Sequence, residues 1–222
     1  MKKRKLLIAL LCGAMVCLPL AGCNNKSSVS GTDSSVQSET TEETGNQNKS
    51  NSSQEYTSDV FAMDTYMTLT AYGENAQEAV EAGIAEIQRL DDLLSTGKET
   101  SEVAQINANV GGVLSEDTDY LVKRALDIYQ STNGAFDISI YPVMQLWGFT
   151  TGNFAVPSES DLAAKLALVD AGKITLSEEN GQTSISLPEG MEIDLGGIAK
   201  GYTSGRVMEV MKSYGIKSAV IN

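Results

Sequence analysis

The 222 residues carry 29 acidic against 16 basic side chains, a net charge of −13, with three cysteines and no histidine. That balance lacks the basic footprint a nucleic-acid binder needs, and the lack of imidazole excludes Ser-His and Cys-His nucleophiles and histidine-built zinc sites within this chain. A metal held here would have to take oxygen ligands, which points to magnesium or calcium.

The chain opens with Lys2, Lys3, Arg4 and Lys5, followed by an apolar run from Leu6 to Leu20 that is too short to span a bilayer comfortably. This is the pattern of an export signal. Leu20-Ala21-Gly22-Cys23 then fits the small-residue run that precedes a lipid-modified bacterial cysteine. Residues 1–22 are therefore expected to be a lipoprotein signal. Cys23 is expected to carry acyl chains that hold the protein at the extracytoplasmic face of the cell membrane, three chains anchoring far better than one. Cys12 and Cys17 leave with the signal, so the mature chain has no second thiol for a disulfide or a Cys-rich metal site. The signal takes four basic residues and no acidic one, which moves the net charge from −13 to −17. We read that excess as solvation.

Residues 23–54 are rich in Ser, Thr, Asn, Gln, Gly and Glu. Such a segment buries too little apolar surface to offset its chain entropy and is expected to be a disordered linker behind the lipid anchor. The folded domain is expected over residues 55–222, an ordinary domain length.

Val60 to Gly73 is rich in β-branched and aromatic residues, and the alternation of Tyr66, Thr68, Thr70 and Tyr72 with Met67, Leu69 and Ala71 predicts a half-buried strand. Asn75 is the expected cap of a long helix over 76–94, where Val80, Ile84, Ile87, Leu90 and Leu94 recur at helical spacing. A loop at Leu94-Ser95-Thr96-Gly97-Lys98, a short helix near 101–107 and a Gly111-Gly112 turn follow. A second amphipathic helix begins at Ser115 or Thr118 and stops near Asn133-Gly134. A third helix is expected over 158–169. Strands 173–176 and 183–187 flank Asn180-Gly181, a strong hairpin signal. A strand over 191–195, a helix over 203–214 and the start of a strand at 217–222 complete the pattern. Strand–helix alternation this irregular does not suit a doubly wound parallel sheet. The expected class is α+β: a mixed, mainly antiparallel sheet with interspersed helices.

The richest segment is Ile193-Asp194-Leu195-Gly196-Gly197-Ile198-Ala199-Lys200-Gly201-Tyr202. It reads as a strand end, a glycine turn and a helix start, with one carboxylate and one ammonium group six residues apart. The glycines allow positive φ or close backbone approach, and a helix start there favours anionic groups such as phosphate. The segment lacks the Gly-x-Gly-x-x-Gly spacing of dinucleotide folds and the Gly-Lys-Ser/Thr of a P-loop. Earlier, Gly134-Ala135-Phe136-Asp137 places an aromatic ring and an acid after a helix end. Phe136 could stack on a flat ring, and Asp137 could accept hydrogen bonds from a ribose or a ring N–H, or simply cap the helix stop. Trp147, with Phe149 close by, reads first as core, as does Met63, with Asp64 a cap.

Taken together, Phe61-Ala-Met-Asp-Thr-Tyr-Met-Thr, Leu94-Ser-Thr, Gly134-Ala-Phe-Asp, Leu146-Trp-Gly-Phe and Asp194-Leu-Gly-Gly-Ile-Ala-Lys-Gly-Tyr resemble, in order and spacing, the bacterial FAD:protein FMN transferases of the ApbE type. The resemblance covers residues 60–222. It implies an enzyme that takes FAD with Mg²⁺ and transfers the FMN half to a threonine hydroxyl of an exported acceptor, releasing AMP. The acceptor is typically a subunit of a membrane redox complex, and some members simply hydrolyse FAD. On this resemblance Met63 packs on bound FAD. Ala135, Phe136 and Asp137 form a short FAD-contacting run, and Asp194 and Lys200 contact the same ligand. Gly197 offers a backbone carbonyl to the metal, and no catalytic residue is assigned. Where many members carry an aromatic after Leu-Ser-Thr, Gly97 stands here. The family's pattern also continues past the segment that matches 218–222, into the acidic and threonine side chains for the metal. The chain is accordingly expected to be an N-terminal fragment of about two-thirds of such an enzyme, with an incomplete Mg²⁺ site and little activity of its own. Rival readings are a FAD pyrophosphatase, a non-catalytic membrane-tethered flavin binder, and a structural lipoprotein in which the glycine motif is only a corner.

Overall fold

The computed structural model describes residues 54–222; the expected signal, Cys23 and the linker up to residue 53 lie outside the described residues. In chain order the elements are β1 (Glu55–Ala62), β2 (Thr65–Tyr72), α1 (Ala76–Leu94), α2 (Glu102–Asn109), β3 (Gly111–Val113), α3 (Glu116–Ser131) and α4 (Tyr141–Leu146). They continue with α5 (Glu159–Leu166), β4 (Thr175–Glu179), β5 (Gln182–Ser186), α6 (Gly196–Ser213) and β6 (Ser218–Ile221). The strands form two three-stranded sheets, ordered β1-β2-β6 and β3-β5-β4, with every pairing antiparallel. The α+β class expected from the pattern holds.

α1 joins the two halves of the core. Its Ala76, Ala79, Val80 and Ile87 pack with Leu69 and Ala71 of β2 and Val207 and Met211 of α6. Its C-terminal Leu90 and Leu94 pack with Val103, Ile106, Leu121, Val122, Ile193 and Leu195. Where α1 crosses α6, Gly83 leaves no room for more: a Cβ there would stand 3.0 Å from Val207 Cγ1 and 3.2 Å from Leu69 Cδ2.

Several local readings change. The expected single strand over 60–73 is a hairpin, with Ala62 paired to Thr65 and Met63-Asp64 as its two-residue loop. Both loop residues have positive φ, 52° and 54°, as a type I′ turn requires. Asn75 does not cap α1 with its side chain; its Nδ2 donates to the Tyr214 carbonyl. Gly111-Gly112 belongs to β3 rather than a turn. Residues 191–195 join no ladder; they run extended because Met191, Ile193 and Leu195 alternate into the core. α6 starts at Gly196, seven residues before the expected position, so the glycine motif lies inside a helix. Trp147 is half-buried and outside both core clusters, its ring 6.4 Å from that of exposed Phe149. The Asn180-Gly181 hairpin between β4 and β5 stands as expected, at φ 53° and 77°.

Candidate functional site

Four segments distant in sequence meet around one cleft of about 600 Å³. They are the β1–β2 hairpin tip, the C-terminal end of α1 with Ser95-Thr96, residues 135–144, and Asp194 with the start of α6. Met63, Ala135, Phe136, Asp137, Asp194, Gly197 and Lys200 all line it.

The hairpin tip is strained. A non-glycine residue in the left-handed region costs on the order of 1–3 kcal/mol, and Met63 and Asp64 both sit there. The fold compensates at Met63: its N–H donates to Asp91 Oδ1 at 3.0 Å, and its sulfur accepts from the buried Thr203 hydroxyl at 3.6 Å. Asp64 is exposed in the turn and caps no helix.

Phe136 lies against the helix that carries the glycine motif. A Cβ on Gly197 would stand 3.0 Å from Phe136 Cε2, so the missing side chain is what lets the ring rest on α6. Gly196, Gly197 and Gly201 do not adopt positive φ; of the two uses a glycine offers, close approach is the one Gly197 realises. Asp137 is half-buried and largely committed to the protein. Its Oδ1 accepts from Ser139 N–H at 2.8 Å and Ser139 Oγ at 2.6 Å, and its Oδ2 accepts from Ala171 N–H at 3.2 Å. A carboxylate has roughly four acceptor positions, so about one remains for a ligand.

Asp194 stands between Ile193 and Leu195, both 0% exposed. Burying two such side chains contributes about 1.5–3 kcal/mol each and fixes the intervening residue on the opposite face, towards the cleft. The neighbouring backbone is tied twice. Asn107 Oδ1 accepts from Ile193 N–H and Asn107 Nδ2 donates to the Ile193 carbonyl, at 2.8 and 2.9 Å. Asp194 N–H donates to the Ile138 carbonyl at 2.8 Å. Burial pushes the Asp194 carboxyl above its ordinary value; the Gly196 N–H, the Lys200 ammonium and the Thr96 hydroxyl oppose that shift without cancelling it.

The start of α6 keeps open donors. Leu195 provides no side-chain cap, no acidic residue lies in the first turn, and the Gly197 N–H has no acceptor among the described residues. Lys200 is exposed and makes no ion pair among the described residues. A helix start with an open N–H and a free ammonium group one turn in suits an anion, phosphate above all.

Among the described residues no group of three His, Cys, Asp or Glu converges as a metal cage. Gly197 lies in the helical turn, where its carbonyl faces along the axis. The residues present do not by themselves fit a self-sufficient magnesium site. Sequence reasoning left out Asp91, Thr96 and Met144, which also line the cleft. Thr96 was within reach through the Leu94-Ser-Thr segment. No motif marks Asp91 within α1.

The fold and cleft define an antiparallel α+β domain with a recess that sets N–H and ammonium donors beside an aromatic ring. The profile of the ApbE family matches residues 63–222, and the chain belongs to that family. It is 32% identical over 139 residues to a FAD:protein FMN transferase of Klebsiella pneumoniae, covering 61% of this chain and 44% of that one. It is 25% identical over 182 residues to a FAD:protein FMN transferase of Treponema pallidum, covering 76% and 49%. The crystal structure of the ApbE protein of Thermotoga maritima superimposes with a TM-score of 0.69 at 28% identity, over 76% of this chain and 56% of that one. The flavinyl transferase ApbE of Pseudomonas stutzeri, at 24% identity and a TM-score of 0.67, shows the same fold. The chain spans about half the length of the curated relatives it matches.

Proposed function

We propose that the cleft binds FAD and that the protein transfers the FMN half of FAD, with Mg²⁺, to a threonine hydroxyl of an exported acceptor, releasing AMP. The acceptor would be a subunit of a membrane redox complex, met at the extracytoplasmic membrane face where the Cys23 lipid holds the protein. The supporting observation is that the seven positions chosen from sequence, from Met63 to Lys200, line one recess whose volume lies in the usual range for small-molecule sites.

In this reading the isoalloxazine packs near Phe136 and Met63. The diphosphate lies against the start of α6, where the Gly197 N–H and Lys200 offset its charge. Asp194, held by the Gly196 N–H, orients the flavin or ribose. In the transfer, a threonine oxygen bonds to the phosphorus of the FMN half as the bond to the bridging oxygen breaks. The hydroxyl proton passes to solvent and AMP departs with the bridging oxygen. A divalent cation would supply further charge neutralisation at the diphosphate. On this side its one assigned donor is the Gly197 carbonyl.

FAD titration of the full-length protein, followed by flavin fluorescence, tests the reading. Saturable binding that weakens by about tenfold in Lys200→Ala is expected, a loss of about 1.4 kcal/mol. No binding by the wild type, or an unchanged affinity in Lys200→Ala, counts against it. With Mg²⁺ and an acceptor peptide, flavin on threonine together with AMP marks transfer. AMP alone marks hydrolysis, and binding without AMP marks a carrier.

A further inference from the structure

We propose that Asp91 is a positioning residue that holds Met63 in its left-handed turn at the cleft, with Lys98 as the counter-charge that lets this acid stand beside an anionic ligand. The inference rests on the FAD reading for its consequence, although not for its geometry.

Asp91 lies near the C-terminal end of α1, 28 residues along the chain from Met63, and both line the cleft. Its two oxygens have separate duties. Oδ1 accepts from the Met63 N–H at 3.0 Å, and Oδ2 meets Lys98 Nζ at 2.6 Å. Lys98 also reaches Asp92 Oδ1 at 2.6 Å. Backbone strain of the kind found at Met63 persists only where surrounding contacts over-determine it. Here the contacts to Met63 itself are the Asp91 carboxylate on the N–H, the Thr203 hydroxyl on the sulfur and the Thr65 hydroxyl on the carbonyl. The first is the charged one, and charge-assisted hydrogen bonds are the stronger kind. The wider turn makes no glycine concession: Met63 and Asp64 fill both loop positions. Asp91 therefore acts through Met63. Its own charge is spent on Lys98 and on the N–H, so it adds little repulsion towards a diphosphate.

The test uses the full-length protein with methyl-¹³C methionine, the Met63 signal being assigned by its loss in Met63→Leu. Without nucleotide, Asp91→Ala should shift or broaden the Met63 methyl signal. Asp91→Asn keeps an oxygen to accept the N–H and should leave the signal in place. FAD affinity should fall by about tenfold in Asp91→Ala and stay within about twofold in Asp91→Asn, the scale of one hydrogen bond. In the wild type alone, Met63 N–H should exchange about tenfold more slowly than the N–H of Asp64, which has no acceptor among the described residues; this readout survives if Asp91→Ala does not fold. An unmoved Met63 signal in Asp91→Ala, equal exchange at the two amides, or equal losses in the Ala and Asn variants would overturn the proposal. A displaced Met63 in a protein that binds no FAD would leave the positioning role standing and remove the FAD reading instead.

Discussion

Three of the helical glycines, Gly83, Gly197 and Gly201, lie where a methyl group would meet very different surroundings, so the same substitution should have three outcomes. Glycine in a helix interior is about 1 kcal/mol less favourable than alanine, and none of Gly83, Gly197 and Gly201 has positive φ. At Gly201 an added Cβ finds nothing within 4 Å. Gly201→Ala should keep the full gain of about 1 kcal/mol, a rise in Tm of about 2–4 °C for a domain of this size. At Gly83 the methyl would stand 3.0 Å from Val207 Cγ1, 3.2 Å from Leu69 Cδ2 and 3.4 Å from Met211 Cε. Overpacking of this kind costs about 1–3 kcal/mol, so after the helix gain Gly83→Ala should be neutral to about 2 kcal/mol destabilising. At Gly197 the obstacle is one ring carbon at 3.0 Å, and Phe136 is only half-buried and free to swing by a few tenths of an ångström. Gly197→Ala should then be close to neutral in Tm yet move the ring off the cleft wall. Loss of an aromatic contact worth about 0.5–1.5 kcal/mol weakens binding by about two- to tenfold. Thermal melts of the three variants, with FAD titrations of Gly197→Ala and Gly201→Ala, decide the matter. Equal Tm shifts at Gly83 and Gly201, or equal FAD affinities in the Gly197 and Gly201 variants, would refute the reasoning.

Asn107→Ala removes both hydrogen bonds to Ile193. With the partly buried N–H and C=O of that residue unpaired, a loss of about 1–3 kcal/mol is expected in urea melts, whereas a loss within 0.5 kcal/mol, about the usual spread of surface changes, would mean another group takes over. Asp194→Asn tests the electrostatics of the cleft through pH. Because the folded-state value of this carboxyl is raised from 3.8 by burial, its ionisation opposes folding. The wild type is therefore favoured fully below pH 3.8 and loses that advantage as pH rises through the folded value. The Tm of Asp194→Asn minus that of wild type should grow between about pH 3 and pH 7. A difference that stays flat, or shrinks, would show that the carboxyl is not disfavoured in its charged form.

Periodicity made α1 legible to the residue, because its apolar stripe and its polar face are both regular and the helix is long enough for the pattern to average. The Asn180-Gly181 hairpin was legible because its turn residues are those that accept positive φ without strain. The β1–β2 hairpin failed for the converse reason: Met63-Asp64 lacks the Asn-Gly or Asp-Gly signature of a two-residue turn, and tertiary contacts to Asp91 and Thr203 hold Met63 in place. Residues 191–195 looked like a strand because buried and less buried positions alternate, but the pairing partner is the Asn107 amide rather than a neighbouring strand. The glycine motif was read as a turn because its glycines allow positive φ or close backbone approach. Here one of its glycines serves a ring packed against the helix, which requires knowing where Phe136 lies. The convergence of Met63, Phe136 and Asp194 on one cleft follows from no local pattern; the family resemblance was the signal that grouped them.

An acidic chain that receives an anion needs its carboxylates neutralised locally, and the cleft shows how. Asp91 is engaged by Lys98 and the Met63 N–H, Asp137 by three donors from Ser139 and Ala171, and Asp194 by the Gly196 N–H with Lys200 near by. Only Asp64, exposed at the turn, has no such engagement among the acids lining the cleft. Among the described residues, the Gly197 N–H and the Lys200 ammonium have donors to spare at the recess, both at the positive end of an 18-residue helix. Within the last few ångströms the field a ligand feels is set by these open donors rather than by net charge, since solvent screens the distant acids over about 8–10 Å. Raising the salt concentration should therefore weaken FAD binding only modestly in the wild type. In Lys98→Met the uncovered Asp91 carboxylate adds a local repulsion that salt relieves, so affinity should fall at low salt and recover as salt rises. A Lys98→Met protein with wild-type affinity at low salt would mean that Asp91 never needed its counter-charge.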